Sequence, residues 1–189
     1  MDNGLVSTEQ GSQPETAPPE QQPRRRVLLL FVVAAVAFAL DQVTKAIVAS
    51  TLEGHEPIRL LGGAVYLQLV RNAGAAFSMA TGMTWVLAVV AAVVVVVLIW
   101  FAGRLRSVGW AIGLGLILAG ALGNLMDRLF RAPGVLQGHV VDFISLFAPN
   151  GQGFAVFNVA DSCITCGGAL IVLLSLLGRE YDGTVRRRK

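Results

Sequence analysis

The chain has 189 residues and a formal net charge of +3, with 54% hydrophobic and only 14% charged residues, where a soluble domain carries about 25% charged. Too few polar side chains remain to cover a water-exposed surface, so lipid is the implied solvent. The basic residues form short clusters beside apolar runs rather than a stripe along one face, which excludes a nucleic-acid-binding surface and reads as topology signals.

In chain order, residues 1–23 are rich in Gln, Glu, Pro, Ser and Thr. Such a segment cannot bury enough apolar surface to offset its chain entropy and is expected to be disordered. With Arg24, Arg25 and Arg26 it makes a polar, then basic, N-terminal segment over residues 1–26, taken as cytoplasmic. The basic cluster and the apolar run from Val27 have the form of a secretory signal peptide. The run continues past Asp41 to about Ala49, however, and Val48-Ala49-Ser50 is a poor cleavage site. An uncleaved first span is expected. Further spans are expected over 84–103, 108–130 and 154–178. They define a four-helix membrane domain over residues 27–178, followed by a basic cytoplasmic tail over 179–189.

Only a short link around Arg104 to Ser107 separates the second and third runs, so these spans form a tight antiparallel hairpin. Arg24 to Arg26, Arg104, Arg106, Arg179, Arg186 to Arg188 and Lys189 then fall on one side, against Arg59, Arg71 and Arg131 on the other. The positive-inside rule puts both termini in the cytoplasm and the two long connections outside. The first of these contains Ala64-Val65-Tyr66-Leu67-Gln68-Leu69-Val70, which reads as a short strand or part of a small outer sheet. The fold class is thus an all-α polytopic membrane protein with a small extracytoplasmic β-structure.

Ionisable residues in spans are costly and by default functional. At 1.5 Å per residue, Asp41 lies roughly 21 Å into a hydrocarbon core of about 30 Å. Asn124 lies roughly 24 Å into span three, with Asp127 and Arg128 near its outer boundary, while Asn158 and Asp161 lie roughly 6 and 10 Å below the outer surface. Asp142 sits in the apolar segment Val140-Val141-Asp142-Phe143-Ile144, placed to dip back to the same level. These groups converge on the outer leaflet. Asp41 with Lys45, and Asp127 with Arg128 or Arg131, fit structural ion pairs as well as functional groups. Asp142 and Asp161 have no neutralising cation in their own segments. Two carboxyls at one depth in a low-dielectric site tend to share a proton and can perform acid–base chemistry. His55 and His139 are loop residues without metal-ligand spacing. Cys163 and Cys166 are three apart in an apolar run and read as buried small residues rather than a redox or zinc pair. A small ion-coupled transporter is the rival class, weakened by the charge-free second span, and an inert scaffold leaves the Asn and Asp cluster unexplained.

At these residues the chain resembles lipoprotein signal peptidase, or signal peptidase II. The resemblance rests on five motifs: Asp41-Gln42-Val43-Thr44-Lys45; Asn72-Ala73-Gly74-Ala75-Ala76-Phe77-Ser78; Gly123-Asn124-Leu125-Met126-Asp127-Arg128; Val141-Asp142-Phe143-Ile144; and Phe157-Asn158-Val159-Ala160-Asp161. It implies a bacterial cytoplasmic-membrane enzyme of four transmembrane helices, with a small outer β-structure and a mobile outer helix over the site. Its implied activity is aspartic endopeptidase cleavage of diacylglyceryl-modified prolipoproteins before the lipid-bearing cysteine, without metal or cofactor. Membrane lipid and globomycin-type inhibitors are the further implied partners. The implied catalytic dyad is Asp142 and Asp161. Asn72, Gly74, Asn124, Arg128, Asn158 and Ala160 fall on positions that shape the site and meet substrate, and Asp41, Lys45 and Asp127 on supporting ones.

Overall fold

A computed structural model describes residues 24–74 and 83–186. Four helices are long and apolar enough to cross a membrane: α1 Val27–Thr51, α2 Thr84–Ala102, α3 Val108–Phe130 and α4 Val159–Leu176. The run Val93 to Val97 is helical in α2 although β-branched residues are mediocre helix formers. In lipid a span must satisfy every backbone group internally, so the helix wins over local preference. Val89, Val90, Val93, Val96 and Val97 are exposed on the bundle, as a lipid-facing surface requires.

The central helix is α3, which packs against all three others. Lipid gives apolar faces little drive to associate, so close backbone approach over small residues has to supply the packing. Two glycines of α3 show this most clearly. A Cβ at Gly120 would overlap the carbonyl oxygen of Ala160, and one at Gly123 would overlap the carboxylate of Asp41. These two positions let α1, α3 and the start of α4 meet where the polar residues lie. Away from that end the bundle core is apolar, built on Leu30, Ala34, Leu118 and Ala121.

A three-stranded antiparallel sheet caps this end, in the order β1 (Ile58–Leu60), β2 (Val65–Asn72), β3 (Val140–Leu146). The strand expected at 64–70 is therefore present as β2. A register shift between Leu67 and Val70 sets Val70 opposite Asp142 and Asn72 opposite Val140. Side chains alternate along a strand, so Asn72 and Asp142 become diagonal neighbours on one face.

The fourth span begins later than its apolar run. Residues 154–158 precede the helix, and Phe157 among them exchanges backbone hydrogen bonds with Ile144 of β3 at 3.0 and 2.8 Å. Asn158 then caps α4. The two residues expected at 6 and 10 Å of depth are thus the cap and first turn of the helix, because β pairing captured the backbone of the preceding apolar stretch. At the opposite end the chain after α4 folds back on the link between α2 and α3, where the Tyr181 carbonyl accepts from the backbone N–H groups of Arg106 and Ser107.

Candidate active site

Asp142 and Asp161 reach the site from different directions and share one scaffold residue. The side chain of Asn158 accepts from the backbone N–H of Asp161 at 2.9 Å, and its own backbone N–H donates to Asp161 Oδ2 at 3.1 Å. This capping box satisfies groups that a helix start leaves open. With its Oδ1 so engaged, Asn158 turns Nδ2 to Asp142 Oδ1 at 2.7 Å. One Asn therefore binds both carboxylates. The second oxygen of Asp142 accepts from Asn72 Nδ2 at 2.8 Å, and Asp161 Oδ1 accepts from Asn124 Nδ2 at 2.7 Å.

Behind this layer lies a buried ionic cluster. Lys45 is fully buried, 3.0 Å from Asp41 Oδ2 and 2.9 Å from Asp127 Oδ2. The pairing of Asp41 with Lys45 was expected; the second partner was not, since it comes from another helix. Asp127 also pairs with Arg131 and accepts from the backbone N–H of Val141 at 3.2 Å, which ties α3 to β3 next to Asp142. Asp41 reaches across to α4, accepting from the backbone N–H of Ala160 at 2.9 Å. The role of Ala160 is thereby its amide and its small side chain, packed against α3. Arg128 forms no ion pair with Asp127, the carboxylate beside it on α3. It donates instead to the carbonyls of Asn124 and Gly74, at 3.1 and 3.3 Å.

A cavity of about 460 Å³ opens beside these groups, and Asn72, Gly74, Asn124, Arg128, Asp142 and Asp161 all line it. The remaining wall is mainly apolar and includes Phe154, Val156, Phe157 and Ile164. Asn158, Ala160, Asp41, Lys45 and Asp127 stand outside this lining, as the support of the residues that form it. Cys166 also lines the cavity and is exposed, while Cys163 is half-buried; both are free thiols. The expectation of two buried cysteines fails at Cys166, which the turn of α4 carries to the cavity side. Ala75 to Ser78 of the second motif lie outside the described residues.

Asp142 is 2% exposed. Burial, and next the charge of Asp161, push its pKa from 3.8 to about 7, against the opposing pull of hydrogen bonds from Asn72 and Asn158. Desolvation outweighs the amide donors because two neutral hydrogen bonds replace only part of a carboxylate's hydration. At neutral pH this carboxyl is therefore poised between its protonated and ionised forms, as acid–base chemistry requires.

Four apolar spans, a polar end under a small sheet, and two carboxyls facing one cavity define a polytopic membrane protein with a carboxyl-lined cavity at one end of its bundle. The family described as Signal peptidase (SPase) II matches residues 33–177. The chain is 53% identical over 169 residues to a lipoprotein signal peptidase of Rhodococcus jostii (strain RHA1), covering 89% of this chain and 83% of that protein. It is 52% identical over 156 residues to a lipoprotein signal peptidase of Mycobacterium tuberculosis (strain ATCC 25618 / H37Rv), covering 82% and 74%. A solved bacterial membrane enzyme, determined by the in meso method, superposes with a TM-score of 0.73 at 27% identity, over 90% of this chain and 100% of that one. The chain belongs to the signal peptidase II family and is a membrane peptidase.

Proposed function

We propose that the protein is an aspartic endopeptidase that cuts diacylglyceryl-modified bacterial prolipoproteins immediately before the lipid-bearing cysteine. The observation that carries this reading is that Asp142 and Asp161 line one cavity and are both bound by Asn158. With one proton shared by the dyad, the ionised carboxylate takes a proton from water as the hydroxyl adds to the scissile carbonyl carbon. The protonated partner hydrogen-bonds the developing oxyanion. Collapse of the tetrahedral intermediate breaks the C–N bond, the amine leaves with a proton from the dyad, and the single shared proton is restored. The position of Asp142 near neutrality supports it as the member that holds the proton. Among the described residues, buried Arg128 Nε has no hydrogen-bond partner, and the residue lines the cavity that a substrate would enter.

The apolar wall formed by Phe154, Val156, Phe157 and Ile164 suits an acyl chain, and the names borne by the relatives supply prolipoprotein as the precursor class. The same wall and the polar dyad offer globomycin-type inhibitors a competing fit. Clustering of basic residues at the end opposite the site supports a bacterial cytoplasmic membrane location, with both termini inside and the dyad near the outer face. An ion-relay reading finds no support, because among the described residues the core beyond Lys45 and Asp41 is the apolar cluster around Leu30, Ala34, Leu118 and Ala121. The test is turnover of a purified lipidated precursor in detergent. Asp142→Asn and Asp161→Asn should each lose at least about 100-fold in rate while remaining folded, and the double variant should lose little more. Near-normal turnover by either folded variant would refute the aspartic mechanism.

A further inference from the structure

The Lys45 ammonium makes one contact that ion pairing does not require. Besides Asp41 and Asp127 it donates to Asn124 Oδ1 at 3.1 Å, and Asn158 Nδ2 approaches the same oxygen at 3.2 Å. An Asn amide is nearly symmetric in shape, so its orientation is decided by what its two ends meet. Turned over, the Asn124 amide would point its NH₂ group at an ammonium and at another NH₂ group. In the observed orientation its Nδ2 faces Asp161 Oδ1 at 2.7 Å. Lys45 itself makes no hydrogen bond to either dyad carboxylate among the contacts of the described residues.

We infer that Lys45 is a positioning residue for the reaction: through Oδ1 of Asn124 it fixes the amide donor that holds Asp161 toward the cavity. This rests on the aspartic reading above. Charge-assisted donation from a fully buried ammonium is the stronger of the two constraints on the amide, so Asn158 alone holds the orientation less well. When the amide turns, Asp161 loses its donor and faces a carbonyl oxygen in its place.

Removing Lys45 alone would leave the buried carboxylate of Asp41 without its counter-ion and that of Asp127 with Arg131 only, and would destabilise the fold whatever its role. The experiment therefore uses full-length protein carrying Asp127→Asn as the reference, which removes one of those carboxylates while retaining the Lys45 contact to Asn124. Lys45→Met, Asn124→Ala and both together are added to it. Melting temperature, kcat and KM are measured on a diacylglyceryl-modified prolipoprotein in detergent. Lys45→Met and Asn124→Ala should each lower kcat about 10- to 100-fold relative to the reference, the range for a lost hydrogen bond to a charged group, with KM within about threefold. Together they should lower kcat no further than the worse of the two, because they act through one bond. A kcat for Lys45→Met within twofold of the reference, losses that multiply, or melting below the assay temperature in this background would each overturn the inference. Failure of the aspartic reading is seen separately, as turnover by Asp142→Asn.

Discussion

Replacing Asp142 by Asn should stabilise the protein progressively as the pH rises, even as it abolishes turnover. A carboxyl whose folded pKa lies above its unfolded value holds its proton more tightly in the fold. It therefore contributes no penalty below the unfolded value, and a growing one as the pH climbs to the folded value. For Asp142 these limits are 3.8 and about 7. At about 1.4 kcal/mol per pH unit, the full penalty is on the order of 4 kcal/mol. Roughly 2 to 3 kcal/mol of it accrues between pH 5 and pH 8. Asn cannot ionise and escapes this term. It carries a separate, pH-independent cost, because its NH₂ group would face either Asn72 Nδ2 or Asn158 Nδ2, the donors that now bind the two carboxylate oxygens. The informative quantity is thus the slope of the difference. Melting temperatures of parent and Asp142→Asn protein, measured in one detergent from pH 5 to pH 8, should diverge in favour of the variant by roughly 5 °C or more. Parallel curves would mean that Asp142 ionises in the fold as it does in the unfolded chain, and the argument for a proton held on it would collapse.

The charge of Asp161 is the second cause of that shift, so Asp161→Asn should shrink the pH-dependent penalty on Asp142 and flatten its melting curve between pH 5 and pH 8. An unchanged slope would show that the two carboxyls do not sense each other. Gly123→Ala places a Cβ against the Asp41 carboxylate and 3.2 Å from the Ala160 side chain, and should cost about 1–3 kcal/mol of stability. Gly168→Ala, which meets nothing within 4 Å, is the control and should melt at or above the parent temperature. For topology, reporter fusions after Lys189 and within Arg104 to Ser107 should report cytoplasm, and fusions near Gly54 or Gly151 the exterior; a cytoplasmic signal at Gly151 would invert the orientation.

The spans were legible because lipid leaves a backbone few choices, so apolar length alone marks Val27–Thr51, Thr84–Ala102 and Val108–Phe130 to within a few residues. The fourth start was misplaced because hydropathy cannot distinguish an apolar strand from an apolar span, and Phe157 pairs with Ile144. Spacing within one helix gave the Asp41–Lys45 pair. It could not give Lys45 with Asp127, which depends on α1 and α3 lying side by side. Counting depth along the fourth apolar run places Asn158 and Asp161 inside the span, but the structure makes them a capping box at its start. The Asn-x-x-Asp spacing ahead of an apolar run was the available signal for it. The contact of Asn72 with Asp142 rests on the β2–β3 register and its shift, which a single sequence does not encode in any local pattern.

The charges gathered at this end of the bundle bear on how many protons the dyad holds. Lys45, Arg128 and Arg131 face Asp41, Asp127, Asp142 and Asp161, and all but Arg131 and Asp161 are buried. Three cations balance three carboxylates, so the set is neutral when Asp142 and Asp161 share one proton. A second ionised carboxylate would leave a net negative charge in a region with little water to solvate it. Protonating both would leave a net positive one. The single shared proton that the proposed mechanism needs is therefore also the state in which this cluster is electrically balanced, and the residues that set this balance include Asp41 and Lys45 on α1 and Asp127 and Arg128 on α3, outside the proposed dyad itself. Removing Lys45 and Asp127 together preserves the balance while removing either alone does not, so Lys45→Met also changes the charge relative to its Asp127→Asn reference, and it is the failure of its loss to add to that of Asn124→Ala that identifies the orienting contact.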